Sequence, residues 1–400
     1  MVNVDIILFI VFIFLVSLIM IFNRKRLKIE KFLFPFLYIV MYKTKLGLRN
    51  MDVIAKRHPR LVTIFANLGI VVGFIGMVAI FVLLIASIIS IYKNPVPQAG
   101  VALLLPGVQV PGLPVLSFWH WIIALFILVV VHEFMHGVVA RLHNIKIKSS
   151  GFAFLCVVLP VVPAAFVEPE ETQLVKKSKK AQLGVFSAGS MSNFIVAIIF
   201  FLVLTFVINP IAPSLIETSG VRVVATQEGY PLAETNIQIN EEIEEVNGIL
   251  VSKIDNFIDI MKDVKPGGEV SIKTNTSVYN VLAATHPEDS SRGYVGVFLD
   301  VVSAEIRSDI WWASSFFWIQ LAVLWIYLIN FFVGLFNLLP LFILDGGRMF
   351  YTFLSYIFKN NEIRVKKVFN IVNVICVLLI ILNFFPSLIK FFGNILVSLF

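Results

Sequence analysis

Apolar runs of membrane-spanning length, separated by short polar intervals, set the pattern of this 400-residue chain. Ile6–Phe22 is of about the minimum crossing length and predicts a first membrane helix. Leu61–Tyr92, Phe118–Leu142, Leu183–Ile208, Trp311–Leu339 and Val368–Phe385 predict five more. Gly69, Gly73 and Gly76 lie where another helix can pack closely against the second span. The first run has no basic flank ahead of it and no small-residue cleavage site after it, so it reads as an uncleaved membrane helix. The apolar tail after Lys390 is too short for a further span.

Three apolar stretches break the helical pattern. Asn23–Arg60 carries eleven Lys or Arg around KFLFPFLYIVMYK, a run too short to span easily and interrupted by Pro35, which predicts an interfacial segment. Pro95–Pro114 holds five prolines and three glycines and cannot be a regular helix. Irregular backbone survives at membrane depth only where protein covers it or water reaches it, so a re-entrant strand or loop is expected, with an ordinary outer loop as the alternative. Ile147–Val167, with Gly151, Pro160 and Pro163, is a second stretch of this kind.

From residue 209 to 309 the pattern shortens to β-like runs (VRVVAT, GEVSIKTN, YNVLAA, GYVGVFLD) and one amphipathic helix near Lys253–Val264. Asn247-Gly248 is a tight hairpin signal. The expected fold is a polytopic α-helical membrane protein, about six transmembrane helices with re-entrant loops, plus a small α/β soluble domain. Residues 1–60 form an N-terminal membrane helix and basic interfacial segment, 61–208 the first half of the membrane core, 209–309 the soluble domain and 310–400 the second half.

Composition agrees: 58% of residues are hydrophobic and 14% charged, as in polytopic membrane proteins. The net charge of +7 implies no nucleic acid, because its distribution follows the loops. Asn23–Arg60, Arg141–Lys180 and Arg348–Lys367 hold twenty-three of the Lys and Arg, against nine elsewhere, and the soluble domain has sixteen acids to seven bases. The positive-inside rule then puts both termini and the soluble domain outside. Cys156 and Cys376 support neither a disulfide framework nor a thiolate metal site.

The chemistry lies in VVVHEFMHGVVARL. His132 and His136, four residues apart, project from one face of the third span, a spacing that suits two nitrogen ligands of one zinc ion. Glu133 beside them is placed to take a proton from water. Three ionisable groups in hydrocarbon are costly and normally mark a working site; a satisfied buried cluster is the alternative. A third ligand is needed. Asp345 is the best candidate, following Pro340 and preceding Gly346 and Gly347, which let the backbone unwind and turn its side chain inward. The alternatives are a helix-terminating turn whose Asp faces the cytoplasm, or His143 as ligand. His58, His120 and His286 are read as ordinary polar residues.

With His132-Glu133-x-x-His136 followed by Asn337-x-x-Pro340-x-x-x-x-Asp345-Gly346-Gly347, the chain resembles the site-2 protease family of intramembrane zinc metalloproteases, from span two onward. Ala188-Gly189-Ser190-Met191-Ser192-Asn193 is similar to the family's span-four pattern, and Pro163-Ala-Ala-Phe-Val-Glu168 to its re-entrant loop. The family usually has Pro where Ser190 stands, and often prolines where Phe342 and Ile343 stand. The resemblance implies His132, His136 and Asp345 as zinc ligands, Glu133 as catalytic base and Asn193 facing the active site, as a donor to the developing oxyanion. Gly229-Tyr-Pro-Leu-Ala-Glu, Ile243-x-x-Val-Asn-Gly248 and Pro266-Gly267-Gly268-x-Val270-x-Ile272 resemble a PDZ domain, which implies a peptide ligand bound by strand addition, its terminus at Gly229-Tyr230 or Tyr294-Val-Gly296. Expected partners are single-span membrane protein substrates and the lipid bilayer, with a strand from Gly151–Val162 pairing with the unwound substrate. The expected location is multi-pass in a membrane, the cell membrane if the source is a prokaryote, with the active site toward the cytoplasm and the PDZ-like domain outside. A metal-ion transporter and an inactive scaffold presenting the soluble domain are the alternative functions.

Overall fold

The computed structural model describes residues 4–33, 37–93, 105–107 and 112–399, the side chains of 31–33, 37, 92 and 385–399 excepted. Most of the predicted re-entrant segment Pro95–Pro114 lies outside the described residues. The chain divides into two compact units, Met1–Phe206 with Ile319–Phe400, and Val207–Trp318.

The first unit opens with α1 (Val4–Phe22), β1 (Leu27–Leu33), β2 (Leu37–Thr44), α2 (Leu48–Arg57) and α3 (Pro59–Lys93). It continues with α4 (Phe118–Leu142), β3 (Ile147–Val157), β4 (Leu159–Pro169), the single turn α5 (Glu171–Leu174) and α6 (Lys179–Val203). Six helices of the whole chain are long and apolar enough to cross a membrane, among the described residues. Serine side chains start two of them: Ser117 accepts from the His120 N–H ahead of α4, and Ser178 from the Ala181 N–H ahead of α6.

The non-helical stretches are strands, as expected for part of Gly151–Val162 but not for the basic segment. The basic segment is a β-hairpin, β1 with β2, and Ile147–Val167 is a second, β3 with β4; together they form one four-stranded antiparallel sheet in the order β1-β2-β3-β4. Leu37 pairs with Val157 and Thr44 with Ser150, partners more than a hundred positions apart. Such pairing satisfies backbone groups that no local pattern accounts for. Gly151 permits the approach, since a Cβ there would run into the Tyr42 carbonyl.

The second unit runs through α7 (Asn209–Ile211), β5 (Ile216–Thr226), β6 (Glu242–Val246), β7 (Ile249–Leu250) and α8 (Ile254–Lys262). It ends with β8 (Glu269–Thr274), β9 (Val278–Leu282), β10 (Ala284–Thr285), β11 (Gly293–Tyr294) and β12 (Val297–Ile306). Its main sheet has the order β12-β5-β6-β8-β9, with β7 hairpinned onto β6. Asn247 and Gly248 make that turn at φ 52° and 77°. Phe257 and Met261 of α8 close the core over Val221, Val223, Ile243, Val246, Val270 and Ile272.

After this unit come α9 (Ala313–Phe336), α10 (Asp345–Ile357) and α11 (Glu362–Leu399). The fifth predicted span therefore ends before Asn337, and its DGGR end opens a separate helix. Gly346 and Gly347 sit in the first turn of α10 without left-handed backbone. Their role is close approach: a Cβ on either would strike the carbonyl of Leu338 or Leu341, and the Gly346 N–H donates to the Asn337 carbonyl at 2.8 Å. The glycines of α3 also serve packing, Gly69 against Ser187 and Met191 of α6, Gly73 against Met349 of α10, and Gly76 against Leu338.

Candidate metal centre

Two helices and one helix start meet here. His132 and His136, both buried, lie one turn apart on α4 with ring centroids 4.8 Å apart. Asp345, at the first position of α10, brings Oδ2 to 2.9 Å from His132 Nε2 and 3.0 Å from His136 Nε2. The three ligand atoms lie within 4.8 Å of one another, the one such group of three or more His, Cys, Asp or Glu among the described residues. His143 is not in it; it caps the end of α4, its N–H on the Val139 and Ala140 carbonyls.

The outer contacts fix which nitrogens face inward. His136 Nδ1 lies 2.7 Å from the Val185 carbonyl, an acceptor only, so Nδ1 carries the proton and Nε2 offers a lone pair. His132 Nδ1 lies 2.9 Å from the fully buried carboxamide of Asn193. With the amide nitrogen facing Nδ1, the carboxamide Oδ1 is buried with no partner. Turning the carboxamide over places Oδ1 on an Nδ1–H, which satisfies that oxygen and frees His132 Nε2 as well. With both Nδ1 atoms protonated, the two Nε2 lone pairs and the carboxylate oxygen would face one cation; as the side chains stand, each Nε2 lies at hydrogen-bond distance from Asp345 Oδ2. That donor set fits a divalent cation, and N,N,O coordination suits zinc.

Helix α6 passes directly against the imidazoles. A Cβ on Gly189 would lie 2.5 Å from His132 Cε1 and from His136 Nε2, so only glycine fits. Glu133 is half-buried and turned toward the sheet, where its Oε2 accepts the Val167 N–H of β4 at 2.9 Å. The structure thus brings His132, His136 and Asp345 together, sets Asn193 behind His132 and ties Glu133 to β4. The sequence reading assigned no role to Gly189, Val185 or Val167. The small-residue run Ser187-Ala188-Gly189-Ser190 carried a signal for the first; the other two act through backbone atoms, which have none.

Six membrane-length helices with a His-His-Asp cluster contributed from α4 and α10 define a multi-pass membrane protein with a candidate metal site. The match to peptidase family M50 covers residues 120–382, well over half of the chain and all of the residues just described; the chain belongs to that family. It is 27% identical over 316 residues to the uncharacterized protein MJ0971 of Methanocaldococcus jannaschii, across 78% of this chain and 76% of that one. Among solved structures, the PDZ domain of the SdrC-like protein of Listeria innocua aligns at 19% identity over 22% of this chain and 99% of that one, with a TM-score of 0.18, which carries no argument about fold.

Proposed function

We propose that this chain is an intramembrane zinc metalloprotease that hydrolyses peptide bonds within the transmembrane helices of single-span, membrane-anchored substrates. The observation that carries this reading is the convergence of His132 and His136 from an apolar helix on Asp345 from a second, with both Nε2 atoms turned to the same carboxylate oxygen. Zinc bound by these three residues supplies Lewis acidity toward a carbonyl oxygen and toward water. Glu133 takes the proton of the attacking water and passes it to the leaving amine. Asn193, fully enclosed, orients His132, beside the role as donor to the developing oxyanion that the resemblance implies. A cavity of about 390 Å³ adjoins the start of α10, lined by Gln182, Arg348, Tyr351 and Thr352 together with Phe186, Phe342 and Phe369.

A helical substrate hides its amides and must be unwound. Strand addition to the sheet does this, and among the described strands β4 is the edge strand beside α4: β3, which holds most of the expected Gly151–Val162 strand, is paired on both sides. A cavity of about 300 Å³ between α4 and this hairpin, lined by Ile122, Leu125, Phe126, Val129, Pro163 and Ala164, suits an extended apolar segment. In the inserted domain, β12 is likewise an edge strand and borders a groove of about 310 Å³ with α8, in keeping with a PDZ-like domain that takes a peptide. The loop charges orient that domain outside and the metal centre toward the cytoplasm. The test is Glu133→Gln, which keeps zinc and abolishes cleavage of a single-span substrate; cleavage persisting in that variant overturns the assignment.

A further inference from the structure

The donor that holds Glu133 in place also lies on a strand edge. Val167 pairs with Ser150 in β3, yet its N–H points the other way, to Glu133 Oε2. Backbone groups alternate along a strand, so Ala165 presents its N–H and carbonyl on the same outer edge, and Pro163 presents a carbonyl with no N–H. Pairing is regular from Leu155↔Val162 to Ser149↔Glu168, so this alternation is undisturbed. The outer edge of β4 next to α4 therefore offers two amide donors in this stretch, and the general base occupies one of them. An extended segment entering between α4 and β4 needs that donor.

We infer that Val167 N–H is a hand-over point: it holds Glu133 against β4 at rest and passes to a carbonyl of the incoming substrate strand, which releases the Glu133 carboxylate to act as base only when substrate is aligned. This rests on the peptidase reading, in which Glu133 is the base and β4 the docking edge. The exchange is balanced at the hydrogen bond, one acceptor for another at a single N–H, while α4, which packs directly against β4, gives way to the entering strand. It couples strand alignment to base release, and a water in the empty site meets a restrained carboxylate. Val167 is a positioning residue through its backbone, and its side chain plays no part.

Amide exchange at Val167 in the full-length protein reads the hand-over directly. In Glu133→Ala the Val167 amide exchanges about ten- to a hundredfold faster than in the wild type, as expected when a bond to a carboxylate is lost. Adding an uncut single-span substrate to Glu133→Ala slows that amide again, with Ala165 slowed in parallel. A substrate that binds, as shown by its own protection, but leaves Val167 fast overturns the hand-over. Val167→Pro removes the donor on an edge that already carries Pro163, whereas Val167→Ala keeps it. Val167→Pro raises KM about three- to tenfold, the loss of one hydrogen bond, and leaves kcat at or above the wild-type value. A fall in kcat at unchanged KM shows that the N–H orients the base throughout, and overturns the hand-over. Absence of cleavage by the wild-type protein itself overturns the peptidase reading, a separate result from either.

Discussion

Replacing Gly189 by alanine tests the metal centre through a residue that is neither ligand nor base. The added Cβ would lie 2.5 Å from both His132 Cε1 and His136 Nε2. Ordinary non-bonded contacts of this kind sit near 3.5 Å, so the overlap is about 1 Å and falls on two ring atoms that cannot both turn away. His136 is held at Nδ1 by the Val185 carbonyl and His132 by Asn193, both carried on the same helix as Gly189. Any retreat of α6 therefore drags the outer contacts with it. Metal–ligand distances tolerate about 0.2 Å, several times less than the displacement required. Gly189→Ala should lose zinc by at least the hundredfold seen at the upper end for disturbed outer contacts, with cleavage lost in proportion. Gly184→Ala on the same helix is the control: its Cβ meets only Ala66 at 3.3 Å and Val139 at 3.8 Å. Zinc content of the purified protein by elemental analysis, with thermal unfolding to show intact packing, gives the readout. A Gly189→Ala protein with full zinc occupancy refutes the geometry on which the proposed site depends.

Asn193→Ala removes the acceptor behind His132 and should weaken zinc about ten- to a hundredfold, whereas Asn193→Asp, which keeps an oxygen on Nδ1–H, recovers part of it; competition against a chelator measures both. In the inserted domain, burial raises the Glu241 carboxyl's pKa, but bonds from Thr274, Thr276, the Gln238 N–H and Tyr279 outweigh it and hold the group below the ordinary glutamate range. The charged form therefore favours the folded domain above that range, and the contribution is lost as pH falls through it toward the depressed folded value. Glu241→Gln should cost about 1–2 kcal/mol at pH 7, and the cost should shrink on acidification; exchange of β6 and β8 amides followed over pH checks the sign.

The six apolar helices and the two imidazoles on one face were legible because each is written in local periodicity. The third member of the candidate site was legible in part: Asp345 stands out as a carboxylate beside a Pro and two Gly, but the function of those glycines was not visible. They were expected to unwind the chain, and they instead admit the carbonyls of Leu338 and Leu341 against a regular helix start. The sheet was not legible. LYIVMYKT reads equally as a short interfacial run, and what makes it β2 is its partner at residues 150–157. The contact of Glu133 was also out of reach, because it is held by a main-chain N–H whose direction depends on strand register.

The break between α9 and α10 explains why a carboxylate can be delivered to two histidines inside an apolar core. An unbroken helix from Ala313 to Ile357 would keep its donors paired but would fix Asp345 by helical phase alone. Here Pro340 ends the ladder, and the freed groups find other partners. The Leu341 N–H reaches the Leu339 carbonyl, the Leu344 N–H that of Leu341, and the Gly346 N–H that of Asn337. The exposed Phe342 N–H is taken by Asn373 Oδ1 from α11 at 2.8 Å. Irregular backbone in an apolar setting persists only when its polar groups are met in this way. The two glycines let the turn fold back on the helix it precedes, so that the first side chain of α10 projects toward α4. Position in this site is thus set by the turn's own hydrogen bonds, and α11 enters the metal centre's support through Asn373 without contributing a ligand.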